Sequence, residues 1–154
     1  MFKHTFAAGL LALSITAHAH AGEVGKTSVT VYKTPWCGCC QVWTDAIEAA
    51  GYTVAVHDVE DLSAIKKQAG VPDDMQACHT AVIGEDRKYI LEGHVPIEAI
   101  GKLMSERPDI RGISVPGMPE GSLGMGYDPS AKYTVYALGN KPSDQPEPFM
   151  TTGE

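Results

Sequence analysis

Hydrophobic and polar positions cycle along most of this chain, and the period changes several times. Ser28-Val29-Thr30-Val31-Tyr32 is β-branched and aromatic, the make-up of a strand. Val42, Ala46, Ile47 and Ala50 then recur at helical spacing, and Gly51 supplies the stop. Thr53 to Asp58 returns to a strand-like run. Strand, helix and strand within about thirty residues make a βαβ unit, whose strands are expected to be parallel with a right-handed crossover. A short amphipathic helix is expected from Leu62 to Ala69, ended by Gly70 and Pro72. Thr80–Ile83 and Lys88–Glu92 flank the turn Glu85-Asp86-Arg87 as an antiparallel hairpin. Pro96 suits the first turn of a helix carrying Ile97, Ile100, Leu103 and Met104 on one face, and Pro108 closes it.

The last third reads differently. Ile110 to Gly126 is rich in Gly and Pro and includes Met118 and Met125, so it is expected to be an ordered loop or insertion. Lys132 to Leu138 suits a last strand. From Gly139 the chain is polar and Pro-rich, and residues 141–154 are expected to be a flexible tail. No internal repeat interrupts this order. The fold class is α/β: one domain over residues 22–140, with a mixed sheet flanked by helices, a Gly/Pro/Met-rich insertion and an extra C-terminal strand.

The first 21 residues stand outside that domain. Lys3 is a positive n-region, Phe6 to Ile15 an apolar core, and Ala17-His18-Ala19 or Ala19-His20-Ala21 a small-residue cleavage site. They read as a signal peptide cleaved after Ala19 or Ala21, and hence as an exported, periplasmic protein. The apolar run falls short of the ~18–20 residues that span a bilayer, so no membrane insertion is expected once it is removed. Loss of Lys3 takes the formal charge from −7 to −8. An acidic surface argues against nucleic acid or anionic lipid as partner. Export also permits lasting disulfides, and four cysteines allow three pairings. A bridge between the neighbours Cys39 and Cys40 is strained, so two plain structural disulfides explain the chain poorly.

Three of the four cysteines lie in Thr34-Pro35-Trp36-Cys37-Gly38-Cys39-Cys40, between the first strand and the first helix. Thiols at a helix start meet its positive dipole end and unpaired N–H groups, which favours the thiolate that attacks disulfides or binds metal. With its flanking strand and helix, Trp36-Cys37-Gly38-x-Cys40 resembles a thioredoxin active site, and the element order is the thioredoxin-like plan. The departures are informative. Cys39 stands where thioredoxins have proline, Val31 where they have a buried carboxylate, and His79 where the cis-proline precedes Thr80. Cys78 then occupies the position that in this fold lies against the active-site cysteines.

Four convergent sulfurs suit a soft metal: Cu(I), Zn(II) or iron–sulfur iron. Three ligands within four residues fit a tetrahedral zinc site poorly, and sulfurs so close more naturally bridge several Cu(I) ions. Met118 and Met125 offer soft thioethers or ordinary packing. His94, in Gly93-His94-Val95-Pro96, is a hydrogen-bonding residue or a further ligand, and His57 reads as structural. His20 becomes a chelating N-terminus only if cleavage follows Ala19, and His18 has no assigned role.

Taken together, Trp36-Cys37-Gly38-Cys39-Cys40, Cys78-His79-Thr80, Glu92-Gly93-His94-Val95-Pro96 and Gly117-Met118-Pro119-x-Gly121-Ser122-x-Gly124-Met125 resemble the CopG-type periplasmic copper-resistance proteins, from about Val29 to Leu138. The resemblance implies a thioredoxin-like fold, a Cu(I) site holding more than one ion, and interconversion of Cu(I) and Cu(II). It carries Cys37, Cys39, Cys40 and Cys78 over as metal ligands, with His94, Met118, Met125 and His79 as secondary candidates. Cys37 and Cys40 double as the redox pair. The implied partners are copper ions, other periplasmic copper-handling proteins and a redox partner. Two other functions fit the same residues: a thiol–disulfide oxidoreductase with Cys37 attacking and Cys40 resolving, and a passive copper store or chaperone.

Overall fold

The computed structural model describes residues 27–141 and 143–153. The expected signal peptide lies outside them. Seven strands form one mixed sheet in the order β2-β1-β3-β4-β5-β6-β7. β1 (Ser28–Lys33) and β2 (Thr53–Asp58) are parallel, joined through α1 (Gly38–Ala49), as the βαβ pattern requires. β3 (Thr80–Ile83) and β4 (Tyr89–Glu92) form the expected antiparallel hairpin, and β3 also pairs antiparallel with β1. α2 (Ser63–Ala69) precedes β3, and α3 (Ile97–Glu106) follows β4. This is the thioredoxin-like arrangement expected from the pattern.

The sheet's two faces differ in what covers them. Val29 and Val31 of β1 lie opposite Ile83 and Ala81 of β3. They join Leu91, Ile113, the α1 residues Trp43 and Ile47, and the α3 residues Ala99, Ile100 and Leu103 in one buried cluster. On α1 the buried positions Cys40, Trp43, Thr44 and Ile47 follow the helical period, so one stripe faces the sheet. Gly51 at φ 97° ends the helix where an L-residue is strained. The other face carries Thr80 and Glu92, paired across the hairpin, with α2 laid over them through Lys66.

Two expectations need correction. The Gly/Pro-rich stretch Ile110–Gly126 contains a strand, β5 (Gly112–Ser114), parallel to β4 and antiparallel to β6 (Thr134–Leu138). Three residues buried on both faces leave no alternation to read. The expected flexible tail 141–154 contains β7 (Glu147–Thr151), antiparallel to β6 with an irregularity between Val135 and Tyr136. Pro148 argues against a central strand but is tolerated at an edge, which is where β7 lies. Lys102 fastens β7 to α3: its ammonium donates to the Phe149 carbonyl at 3.1 Å and sits 4.7 Å from the ring centroid.

Candidate metal centre

The N-terminus of α1 builds one half of the site. The Cys37 amide donates to the Thr34 carbonyl at 3.1 Å, turning the chain out of β1. Cys37 is the N-cap, and its Sγ accepts from the Cys40 amide at 3.3 Å. A sulfur thus occupies the place a Ser or Asp oxygen usually fills. Cys37 and Cys40 form a disulfide with their Cα atoms 5.3 Å apart, while Cys39 and Cys78 are free. The Cys39 sulfur lies 3.5 Å from that of Cys37. Cys40 is fully buried, and Trp36 beside the cluster is 69% exposed.

The strand side is drier. Cys78 is the second residue before β3, and its Sγ sits 3.1 Å from His94 Nε2 and 3.6 Å from His79 Nδ1. Both imidazoles are completely buried. The His79 ring packs between Trp43, at 4.4 Å, and His94, at 5.5 Å between centroids. Trp43 in turn donates to the Val95 carbonyl at 2.9 Å. The second nitrogen of each ring, His79 Nε2 and His94 Nδ1, has no hydrogen-bond partner among the described residues. Buried polar atoms are rarely left unpaired, and these two are the ring nitrogens that do not lie beside the Cys78 sulfur.

Ligand atoms converge in two overlapping sets. Those of Cys37, Cys39, Cys40 and Cys78 all lie within 4.8 Å of one another, and so do those of Cys40, Cys78, His79 and His94. Cys40 and Cys78 belong to both. Burial sets the protonation here. It pushes the Cys78 thiol up to about 12, helped by the neighbouring Cys39 and opposed by the Lys66 charge. Burial holds His79 well below its ordinary value, and the positive charges of His94, Lys66 and Lys33 act in the same sense. His94 is lowered by burial too. Neutral imidazoles keep a lone pair for metal, whereas the Cys78 proton has to leave before its sulfur can ligate.

The methionine loop closes over this pocket. An isolated parallel bridge pairs Gly117 with Ala77, so Cys78 and Met118 are the residues that follow the bridged pair in sequence. Met118 is 53% exposed. Met125 is half-buried in a tight turn, its amide donating to the Ser122 carbonyl at 2.7 Å. Gly124, at φ +95°, follows the loop inward: a Cβ there would come within 2.6 Å of the Cys39 carbonyl and 3.5 Å of His94 Cε1. Only glycine lets the loop approach so closely. His57 lies elsewhere, exposed on β2 and stacked on Tyr32 at 5.2 Å, in keeping with a structural role. His18 and His20 fall outside the described residues.

Comparisons with known proteins point the same way. A solved structure described as copper resistance protein CopG, form 2, superimposes with a TM-score of 0.71 at 40% identity, covering 81% of this chain and 97% of that one. Form 1 gives 0.70 at 41% identity, over 80% and 95%. This chain belongs to the CopG copper resistance family. A family model described as a protein of unknown function, DUF411, matches residues 75–125. That span holds the strand side and the methionine loop of this CopG-family site and leaves out Cys37–Cys40. The comparison with curated proteins gives no match. No helix among the described residues is long and apolar enough to cross a membrane.

Beneath the CopG-family cysteines lies a buried polar network that the pattern reading missed. Lys66 donates to Glu92 Oε1 at 2.5 Å and to the Thr80 hydroxyl at 3.1 Å, and that hydroxyl donates to Glu92 Oε2 at 2.6 Å. Glu92 Oε1 also accepts from the Ala77 amide at 2.8 Å. Burial pushes the Glu92 carboxyl up, while Lys66, Thr80 and the Ala77 amide favour its ion. A signal was present: Lys66 stands in the apolar register Leu62, Ile65, Ala69, where a charge has no business without a buried partner.

Proposed function

We propose that this CopG-family protein is exported to the periplasm and binds Cu(I) there, as more than one ion bridged by the sulfurs of Cys37, Cys39, Cys40 and Cys78. The observation that carries the reading is the arrival of Cys78 among three helix cysteines, with all four sulfurs within 4.8 Å. Clustered thiolates select soft Cu(I). His94 and His79 are the next donors, since His94 Nε2 and His79 Nδ1 lie beside the Cys78 sulfur. Met118 and Met125 are the outermost candidates.

The Cys37–Cys40 couple supports interconversion of Cu(I) and Cu(II). In one direction the two thiols lose two electrons and two protons and form the disulfide, while two Cu(II) ions become two Cu(I). In the other direction the disulfide takes two electrons from two Cu(I) and two protons from solvent. Mixing the reduced protein with two equivalents of Cu(II) in the absence of oxygen tests the first direction. The expected products are two Cu(I), read with a chromophoric chelator, and one Cys37–Cys40 disulfide, read by mass. Equal yield from Cys40→Ser, or copper bound without loss of thiol, contradicts it.

A second reading has its own observation. A disulfide whose first cysteine caps a helix beside the exposed Trp36 also suits thiol–disulfide exchange with other proteins. Reduction of a protein disulfide at a rate untouched by Cys78→Ser or Cys39→Ser favours that reading over copper.

A further inference from the structure

The segment that delivers Cys78 has no regular structure of its own between the short 3₁₀ turn Asp73–Met75 and β3, yet it is held at nearly every residue. The Ser114 hydroxyl donates to the Met75 carbonyl at 2.6 Å. The Gly117 amide reaches the Gln76 carbonyl at 3.1 Å, and the Gly93 amide the His79 carbonyl at 3.0 Å. The Ala77 amide alone is gripped by a charge, the Glu92 carboxylate. Gly93, at φ +73°, leaves no room for slack, because a Cβ there would come 2.5 Å from the Ala77 side chain.

That charge is an odd choice for stability. The side chains of Lys66 and Glu92 are 8% and 0% exposed. A buried ion pair seldom outperforms apolar residues of the same shape, because desolvating both ions offsets their attraction. What an apolar trio cannot do is fix an acceptor at the amide preceding Cys78. Lys66 on Oε1 and Thr80 on Oε2 fill two approaches to the carboxylate, and Oε1 also takes the Ala77 amide.

We propose that Glu92 is a positioning residue for Cys78: its side-chain oxygen, oriented by Lys66 and Thr80, grips the Ala77 amide and so holds the Cys78 sulfur against the α1 cysteines, with or without metal. The inference deepens the copper reading and rests on it for its purpose, but its geometry can be tested without copper. A positioned thiol at 78 sustains a close pair with Cys39, the two free cysteines when Cys37 and Cys40 are bridged.

The probe is phenylarsine oxide. It forms two As–S bonds with two adjacent thiols, and its oxygen leaves as water with the two thiol protons. Binding is measured on the disulfide form of the wild type and of two double variants, each kept well below its melting temperature and folded by circular dichroism. Lys66→Met with Glu92→Gln removes both charges but retains an oxygen for the Ala77 amide. Lys66→Met with Glu92→Leu removes the acceptor as well. The first is expected to bind within about threefold of wild type, and the second about tenfold or more weakly, the usual cost of a lost hydrogen bond to a charged group. Wild-type affinity in the second variant overturns the proposal, as does an equal loss in both, which marks the pair as structural filler. Failure of the wild type to retain the arsenical overturns it too. Copper uptake is not read in this assay, so a failed copper titration leaves the result standing.

Discussion

Cys37, Cys39 and Cys40 reach the cluster within four consecutive residues at a helix N-terminus, whereas Cys78 and His79 arrive just before β3 and His94 just after β4, and are set by packing. The helix side has a disulfide, an exposed Trp36 and free N–H groups around it. The strand side has two fully buried imidazoles, a thiol raised to about 12 and a buried ion pair behind it. On the proposed function, redox chemistry belongs to the first region and desolvated, neutral donors to the second. The contrast teaches that a disulfide site gains a convergent set of four sulfurs by adding one from a dry wall, not by rebuilding the helix.

The largest effect expected from that contrast is in Cys78→Ser. Changes one shell out from a metal typically cost 10–100-fold in affinity, so loss of this ligand should weaken Cu(I) binding by about 100-fold or more in chelator competition. The Cys37–Cys40 disulfide should form as in wild type. Unchanged affinity would mean that the strand side is not part of the site.

Cys78 also sharpens the comparison without metal. Its raised pKa keeps it a thiol through neutral pH, with thiolate appearing only as pH climbs towards about 12. Alkylation of Cys78 at pH 8, followed by peptide mass mapping, is expected to be about tenfold or more slower than for a free cysteine peptide, and to accelerate steadily into the alkaline range. A rate equal to the free peptide would show that the wall is wet.

The acid side probes His79. Its folded pKa is held well below the ordinary 6.5, so the unfolded chain binds the proton first. The stabilisation is complete above about 6.5 and is lost as pH falls towards the folded value, at up to ~1.4 kcal/mol per pH unit. Denaturant melts of the metal-free protein between pH 7.5 and 5 should show that loss, and His79→Phe should flatten it. A slope identical in the variant would place the acid sensitivity elsewhere, His94 being the next group with the same sense of shift.

The smallest effect is expected at Met118. Its exposure and its place next to the Gly117–Ala77 bridge suit a soft donor at the rim rather than a main ligand. Met118→Leu should weaken Cu(I) by about threefold at most, since an exposed site loses little that water does not replace. A larger loss would move the rim into the cluster.

The two regions also differ in how far they could be read from the chain. The helix side is local: strand, cysteine turn and helical period follow one another, so β1, α1 and the crossover to β2 are legible from spacing alone. The thioredoxin-like order followed from the succession of elements, and the delivery of Cys78 from setting His79-Thr80 against the cis-proline and threonine of that plan. The Lys66–Glu92 pair did not, because 26 residues separate the partners and only the packing of α2 on the sheet brings them together. β5 and β7 were missed for a related reason. Gly112–Ser114 is too short to show a period, and Glu147–Thr151 gains its strand form from β6 rather than from its own polar, proline-containing sequence.

The central claim, that both regions form one copper site, is tested most directly by counting copper in a single preparation before and after reduction of Cys37–Cys40. Cu(I) is titrated without oxygen and retained ions are counted by native mass spectrometry. The disulfide form, limited to Cys39, Cys78 and the histidines, is expected to keep at most one ion, and the reduced form more than one. Equal loading of the two forms would contradict the account.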